Sequence, residues 1–585
     1  AMGTLVVLAI LNFIGQVGQS IDFVRDLTYW LSISGRSSVF MNGMICSQDL
    51  LYFILVIALF LALSVVKLKS ERQSVSRLIN TGRYLGVIAV VLLLGYFSSR
   101  PSMIKYYDAT STKRNTLTEE SQRILSELKG SLTINSYVNI LDQRYYIGMP
   151  DNRNRDKEKF AKYFRFKPEI KMNYIYYYDK AVNSYLDSNF PNLNEKERML
   201  KLSSIYSYNP KMFISPEEIK KQIDLSEEKN TFVREIVSEN GRKVFLRVYN
   251  DNITDPGEIE ITTALKTLLV SSPKIGFVTG HGERTISNSS NSGYTAFAVQ
   301  RDFRYSLINQ GFSVVNVELN QSVDVDILIL SDMRSAYTEQ EMKNYSDFLE
   351  RGGNLIILGE PKRQAVMNPL LAPLGLKLTD DLLVQPSKTH LDDLVLGYVA
   401  EETMATITDL NRIKPYCITM PTACGIEYLA DSSNQAFTVT EILRTKEKGV
   451  WNEKETTNFV DEKSVCNPAR NEIEKSYPVM VHLARVVNNK EQRIFVVGDA
   501  DCFSSGELSV ERQGIRSNNF GLIPVLLKNI SYDAFPVRMS RETPPDNELY
   551  YTQDTLSVIN IVFIWVIPIL LALVYIWIWN KRRNR

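Results

Sequence analysis

The sequence predicts an α/β region, a mostly parallel sheet beside a smaller α/β unit, anchored by transmembrane helices. Three observations predict it. Long uncharged apolar runs lie near both ends of the 585-residue chain. Between Lys274 and Leu358, short unbroken apolar strands alternate with helical segments, the pattern of a parallel sheet covered on both faces. Polar residues directly follow those strands, where open parallel sheets collect ligands.

The apolar runs are Leu50 to Val66, Tyr84 to Ser99 and Thr555 to Asn580. A bilayer core needs roughly 20 apolar residues, so the last run is ample and the first two are short but sufficient. Ala1 to Ile21 is a fourth candidate span despite Gln16 and Gln19. It lacks the basic start and small-residue cleavage site of a signal peptide, and its abrupt apolar start suggests sequence upstream. Lys67, Lys69, Arg72, Arg77 and Arg83 lie between the second and third spans, and Lys581, Arg582, Arg583 and Arg585 follow the last. The positive-inside rule places both basic segments in the cytoplasm and residues from about 101 to 553 outside. Pro568 within the last span predicts a kink.

In the outer region, Thr118 to Lys129 reads as a helix stopped by Gly130, and Ser131 to Val138 alternates like a strand. Asp151 to Phe164 is polar and helical in pattern. Ile170 to Tyr178 reads as a strand with one wet face, although tyrosine runs also stack sugars or bases. A second unit opens with the strand Ile275 to Thr279, then a loop, Ile286 to Gly293, and a helix, Tyr294 to Gln310. Strands follow at Phe312 to Leu319 and Val325 to Leu330. Thr338 and Glu341 form a capping box ahead of Met342, Tyr345, Phe348 and Leu349. Leu355 to Leu358 is the next strand, and Arg493 to Val497 is expected to rejoin the sheet. The expected organisation is two helices (1–70), a basic segment and third helix (71–100), an α/β domain (101–270), a flavodoxin- or Rossmann-like domain (271–545) with an insertion at 380–490, and a C-terminal helix with basic tail (546–585).

Hydrophobic residues make up 44% of the chain and charged residues 23%, enough for a sizeable core. The net charge of +1 gives no field for nucleic acid. Five cysteines without a CxxC exclude a disulfide scaffold; the Cys417–Cys424 spacing permits either a bridge or two buried thiols. Neither GxxxxGK[ST] nor GxSxG nor HExxH occurs, so no nucleotide, nucleophile or zinc motif is present. No enzymatic activity and no cofactor is expected.

The candidate ligand-binding residues are those at the strand ends: His281, Glu283 and Arg284 in the turn TGHGER, then Asp332, Glu360, Asp499 and Asp501. Gly280 and Gly282 would let backbone N–H groups approach a ligand. The same turn could instead be a tight reversal in which His281 and Glu283 cap backbone, or an acid–base pair. With the other histidines, His390 and His482, more than a hundred residues away, no metal-ligand spacing is visible.

TLTEESQRILSELKG, TGHGE, DVDILILSD, GGNLIILGEP and VVGDAD, followed by a span and basic tail, resemble the gliding-motility-associated ABC transporter auxiliary family (GldG-like) over roughly residues 80 to 585. YWLSISGRSSVFMNGMICSQDLLYF, from Tyr29 to Phe53, is similar to the last spans of an ABC-2-type permease. The resemblance implies an auxiliary or permease component in a bacterial inner membrane. It implies a separate cytoplasmic ABC ATPase, further permease spans, membrane lipid and a homo-oligomer as partners. It also implies an external domain that engages substrate, with a carbohydrate-like ligand suggested. A membrane-anchored carbohydrate-binding or hydrolytic protein and a structural scaffold are the alternative readings.

Overall fold

The structure is a computed structural model describing residues 37–583, apart from 38, 74–75, 99, 101–102, 430–436, 538, 540 and 542–551. The candidate span Ala1 to Ile21 lies outside the described residues. Two compact units are seen: Leu117–Met539, and Ser37–Thr116 with Ser540–Arg585.

Among the described residues, the first unit holds two two-stranded sheets, Leu376–Leu378 with Ile426–Tyr428 and Leu382–Val384 with Trp451–Glu453, and two larger ones. The smaller comprises β1 (Leu132–Asn139), β2 (Lys171–Tyr177), β3 (Val233–Ser238) and β4 (Lys243–Arg247), in the order β2-β1-β3-β4. β1 and β2 are parallel and the other pairs antiparallel. Helices α1 (Glu119–Glu127) and α2 (Glu258–Thr267) share its core, burying Ile124, Leu125, Ile261 and Leu265. α1 starts where the Thr118 N–H donates to Glu258 Oε1 at 2.7 Å, so α2 supplies the acceptor for an otherwise orphan donor.

The larger sheet has nine strands. Those that build the site are β5 (Lys274–Val278), β6 (Ser313–Val317), β7 (Ile327–Ser331), β8 (Asn354–Leu358), β9 (Leu394–Val399), β10 (Ile418–Pro421), β11 (Thr438–Arg444), β12 (Pro478–Val487) and β13 (Lys490–Val497). Their order is β10-β9-β11-β12-β13-β8-β7-β5-β6. β6, β5, β7, β8 and β13 are mutually parallel; the rest pair antiparallel. The sheet is therefore mixed rather than mostly parallel. Residues 380–490, expected as an insertion, supply its antiparallel half, and β13 rejoins beside β8 as expected.

Alternate residues of the parallel strands feed two cores. Phe277, Ile329, Ile356 and Phe495 pack with Leu522, Ile523 and Leu526 of α5 (Asn519–Ile530). Leu328, Leu355, Ile357 and Val496 pack on the opposite face with Tyr345 and Phe348 of α3 (Glu339–Glu350) and Met367 of α4 (Gln364–Leu371). Burial on both faces is why these strands read as unbroken apolar runs. The Thr338 box is present: its hydroxyl accepts the Glu341 N–H and its N–H donates to Glu341 Oε2.

Tyr294 to Gln310 is not one helix. Only Thr295–Ala298 and a short turn at Leu307–Asn309 are helical. Side-chain amides take the carbonyls a helix would use: Asn309 Nδ2 donates to Arg301 O and Phe303 O, and Gln310 Nε2 to Arg304 O. Cys417 and Cys424 are buried free thiols, donating to Arg516 O and Gly498 O.

In the second unit, helices Ser47–Arg72, Arg77–Ser98 and Gln553–Arg583 are 26, 22 and 31 residues long and apolar enough to cross a membrane. At about 1.5 Å per residue each matches or exceeds a hydrocarbon core of roughly 30 Å. A π-helical turn, Val562–Val566, lies just before Pro568, where the missing proline N–H frees a carbonyl.

Candidate functional site

Because β5, β7, β8 and β13 run parallel, their carboxyl ends share one edge of the sheet. Each strand leaves a different polar group there: Arg284 after β5, Asp332 after β7, Glu360 after β8, and Asp499 and Asp501 after β13.

Arg284 is the centre of this cluster, its side chain only 8% exposed. Nη2 lies 2.7 Å from Glu360 Oε1, Nη1 bonds Asp501, and Nε lies 3.5 Å from Asp332 Oδ2. Asp332 also takes Arg363 Nε at 3.0 Å and Arg334 Nη2 at 3.2 Å. Glu360 further accepts the Ala500 N–H and the Thr422 hydroxyl, each at 3.3 Å. Asp499 is fully buried; Oδ1 accepts the Asp501 N–H at 2.6 Å, while Oδ2 has no partner among the described residues. Below the cluster, the Tyr294 hydroxyl lies 2.6 Å from Ser331 Oγ and donates to Ala500 O at 2.7 Å.

Burial, reinforced by Asp501 and Asp332 and opposed by Arg284, pushes the Glu360 carboxyl up to about 8. Burial, then Glu360 and Asp501, pushes Asp499 well above the usual carboxylate range. The neighbouring thiols of Cys424 and Cys502 are also pushed up by burial and then by nearby acids, so neither is a ready nucleophile.

Backbone conformation adds to the picture. Asp332, Lys362 and Thr422 all have left-handed φ, at +47°, +62° and +60°. For β-branched Thr422 this is a costly conformation, of order 1–3 kcal/mol, and it accompanies the hydroxyl contact to Glu360.

His281 and Glu283 hold a different set of partners. His281 Nδ1 is 3.0 Å from Ser335 Oγ, and Nε2 is 3.1 Å from Glu341 Oε1. The ring meets Tyr337 edge-on at 4.9 Å. The His281 N–H donates to Glu283 Oε2 at 2.6 Å, and Glu283 Oε1 accepts the Tyr337 hydroxyl at 3.2 Å. The His281 carbonyl accepts the N–H groups of Arg334 and Ser335. This half of the turn braces the Arg334–Thr338 loop and the start of α3. Thus Arg284, Asp332, Glu360, Asp499 and Asp501 come together, whereas His281 and Glu283 pack against the neighbouring loop. Thr422 and Arg363 also belong to the cluster, although no motif contains them. Arg363 follows a strand end closely enough to be suspected; Thr422 enters only through the antiparallel half.

The turn allows a paired test. His281→Ala loses two side-chain bonds and is expected to lower stability by about 1 kcal/mol. Gly282→Val is expected to cost more, about 2–3 kcal/mol. Gly282 sits at φ +81°, and an added Cβ would lie 3.1 Å from the Arg334 side chain. Thermal unfolding of the two variants checks the order; an equal or reversed pair contradicts it.

Residues 272–407, from just before β5 to just beyond β9, match the model of a family described as an ABC-type uncharacterized transport system. No curated protein matches the chain. Among solved structures, the mmIFT52 N-terminal domain is 16% identical with a TM-score of 0.31, covering 44% of this chain and 97% of that one. A putative thua-like protein from Parabacteroides merdae ATCC 43184 is 10% identical with a TM-score of 0.25, covering 49% and 99%.

Proposed function

We propose that this chain is a membrane-anchored auxiliary component of an ABC-type transport system whose outer domain engages substrate or a partner protein at the sheet edge that carries the Arg284 cluster. The observation that carries the reading is the family match at residues 272–407, which falls on β5, β7 and β8, three of the four strands whose ends build that cluster. Three helices long and apolar enough to cross a membrane support the anchoring. The basic residues beside them support an arrangement with residues from about 101 to 553 in the periplasm of a bacterial inner membrane. ATP hydrolysis would come from a separate cytoplasmic subunit, since the sequence lacks a phosphate-cradling loop. The GldG-like assignment, the permease spans within residues 1–70 and a carbohydrate-like ligand extend this reading. Engagement of both His281 ring nitrogens by Ser335 and Glu341 favours a bracing role over acid–base chemistry in that turn.

Two measurements test it. Purification of the tagged chain from native membrane is expected to bring an ABC ATPase with it, while the chain alone hydrolyses no ATP. Turnover by the isolated chain, or repeated purification without an ATPase, counts against the reading. In intact spheroplasts, a membrane-impermeant thiol reagent is expected to label Ser289→Cys and to spare Lys69→Cys; the opposite pattern overturns the orientation.

A further inference from the structure

We propose that Glu360, Asp499 and Asp501 form a binding site for one hard divalent cation, of the Mg²⁺ or Ca²⁺ class. One carboxylate oxygen from each lies within 4.8 Å of the other two, a spacing that a single ion can bridge. The second observation is independent of that clustering. Asp499 is 0% exposed, and its Oδ2 has no hydrogen-bond partner among the described residues. A buried carboxylate oxygen without a partner is costly, and a cation between the three side chains would satisfy it.

Charge points the same way. Asp332 has its own cations in Arg363 and Arg334. The triad is left with Arg284, which contacts Glu360 and Asp501 from one side. When ionised, the triad and Asp332 set four carboxylates against the guanidiniums of Arg284, Arg334 and Arg363, leaving a net negative charge that a cation at the triad offsets. The donors decide the class. All three are carboxylates, the ligands of hard cations. The nearby soft donors are turned elsewhere: Cys424 Sγ donates to Gly498 O and Cys502 Sγ to Asp499 O. Asp501, with 27% of its side chain exposed, opens the site to solvent, so water can complete the coordination. The Asp499–Asp501 turn is rigid, pinned by the Asp501 N–H on Asp499 Oδ1. The cation site stands apart from the transport reading and would survive its failure.

Protons on the triad would offset the same charge, and the experiment separates these cases. Metal-stripped full-length protein in detergent is titrated with MgCl₂, CaCl₂ and MnCl₂ by calorimetry, with thermal unfolding in parallel. The expected result is one equivalent bound, a raised melting temperature and an order among the three ions that identifies the class. Asp499→Asn and Glu360→Gln are each expected to weaken binding by about tenfold or more. Glu227→Gln, removing a surface acid elsewhere, should leave it unchanged. Cleavage by site-bound Fe²⁺ maps the position without any substitution, and cuts near residues 360 and 499–501 that Mg²⁺ or Ca²⁺ suppresses are expected. Folded protein that binds none of the three ions at about 10 mM, the outcome of proton compensation, overturns the proposal. So does binding that both substitutions leave intact, or cleavage confined to other segments.

Discussion

Asp156→Ala is expected to destabilise the smaller sheet by about 3–5 kcal/mol, the largest single effect anticipated in this molecule. Its partner, Arg234 on β3, is fully buried, and their side chains form an ion pair with neither group exposed. Arg234 Nε and Nη1 have no hydrogen-bond partner among the described residues. What else holds the guanidinium is its position by the rings of Phe160 and Phe232, at 5.2 and 4.7 Å from their centroids. An arginine cannot shed its proton to escape such a site, so removing Asp156 leaves an uncompensated buried charge. The Tyr174 hydroxyl, which donates to Asp156 Oδ2 at 3.0 Å, loses its shortest acceptor and keeps only the longer contact to Arg153 O at 3.4 Å and that to Met172 Sδ. The double variant Asp156→Ala/Arg234→Met is expected to recover most of the loss, because both charges leave together. Hydrogen exchange across Val233–Ser238 in the full-length protein reads this directly. Equal protection in the single and double variants would show that the pair does not set the stability of the sheet.

The parts of the site that the sequence shows are those that depend on one strand and the residue after it. β5, β7, β8 and β13 are buried on both faces, so their apolar runs are unbroken and their polar ends stand out. Parallel pairing then aligns those ends without further information. Arg284, Asp332, Glu360, Asp499 and Asp501 follow from this logic. The antiparallel half does not. β10 has only four residues, and β11 is bulged against β12, so no clean alternation marks this half. Thr422 therefore reaches Glu360 from a segment with no readable pattern. The partners of His281 come from Ser335 and Glu341, 54 and 60 residues along the chain, and no local rule links them. Tyr294 to Gln310 misleads for a related reason. Its apolar spacing suits a helix, but Asn309 and Gln310 compete for the carbonyls, a tertiary choice that periodicity cannot register.

The second large effect is a pH dependence carried by His482. This residue lies on β12, 4% exposed, with its ring 4.8 Å from that of Phe495 and Nε2 without a partner among the described residues. Burial, and then Arg493, hold its imidazole down to about 4, with Glu491 opposing weakly. The folded protein thus keeps His482 neutral where an unfolded chain, with the ordinary value of 6.5, already binds a proton. Between those two values the unfolded state carries more protons, so stability is full above about pH 6.5 and falls as the pH drops toward 4. The span corresponds to about 3 kcal/mol at most. His482→Leu removes the titrating group, and the difference between variant and wild type should shift in the variant's favour by roughly that amount from pH 7 to pH 4. Denaturant unfolding of both proteins across that range is the measurement; parallel curves would mean that the ring is solvated in the folded state. The consequence reaches the neighbouring strand. β12 pairs with β13 from Met480–Val497 to Val487–Lys490, and β13 ends directly in the Gly498–Asp501 turn. Acid that charges His482 is therefore expected to loosen the strand that leads into Asp499 and Asp501, seen as faster hydrogen exchange across Ile494–Val497 at about pH 5 in wild type than in His482→Leu.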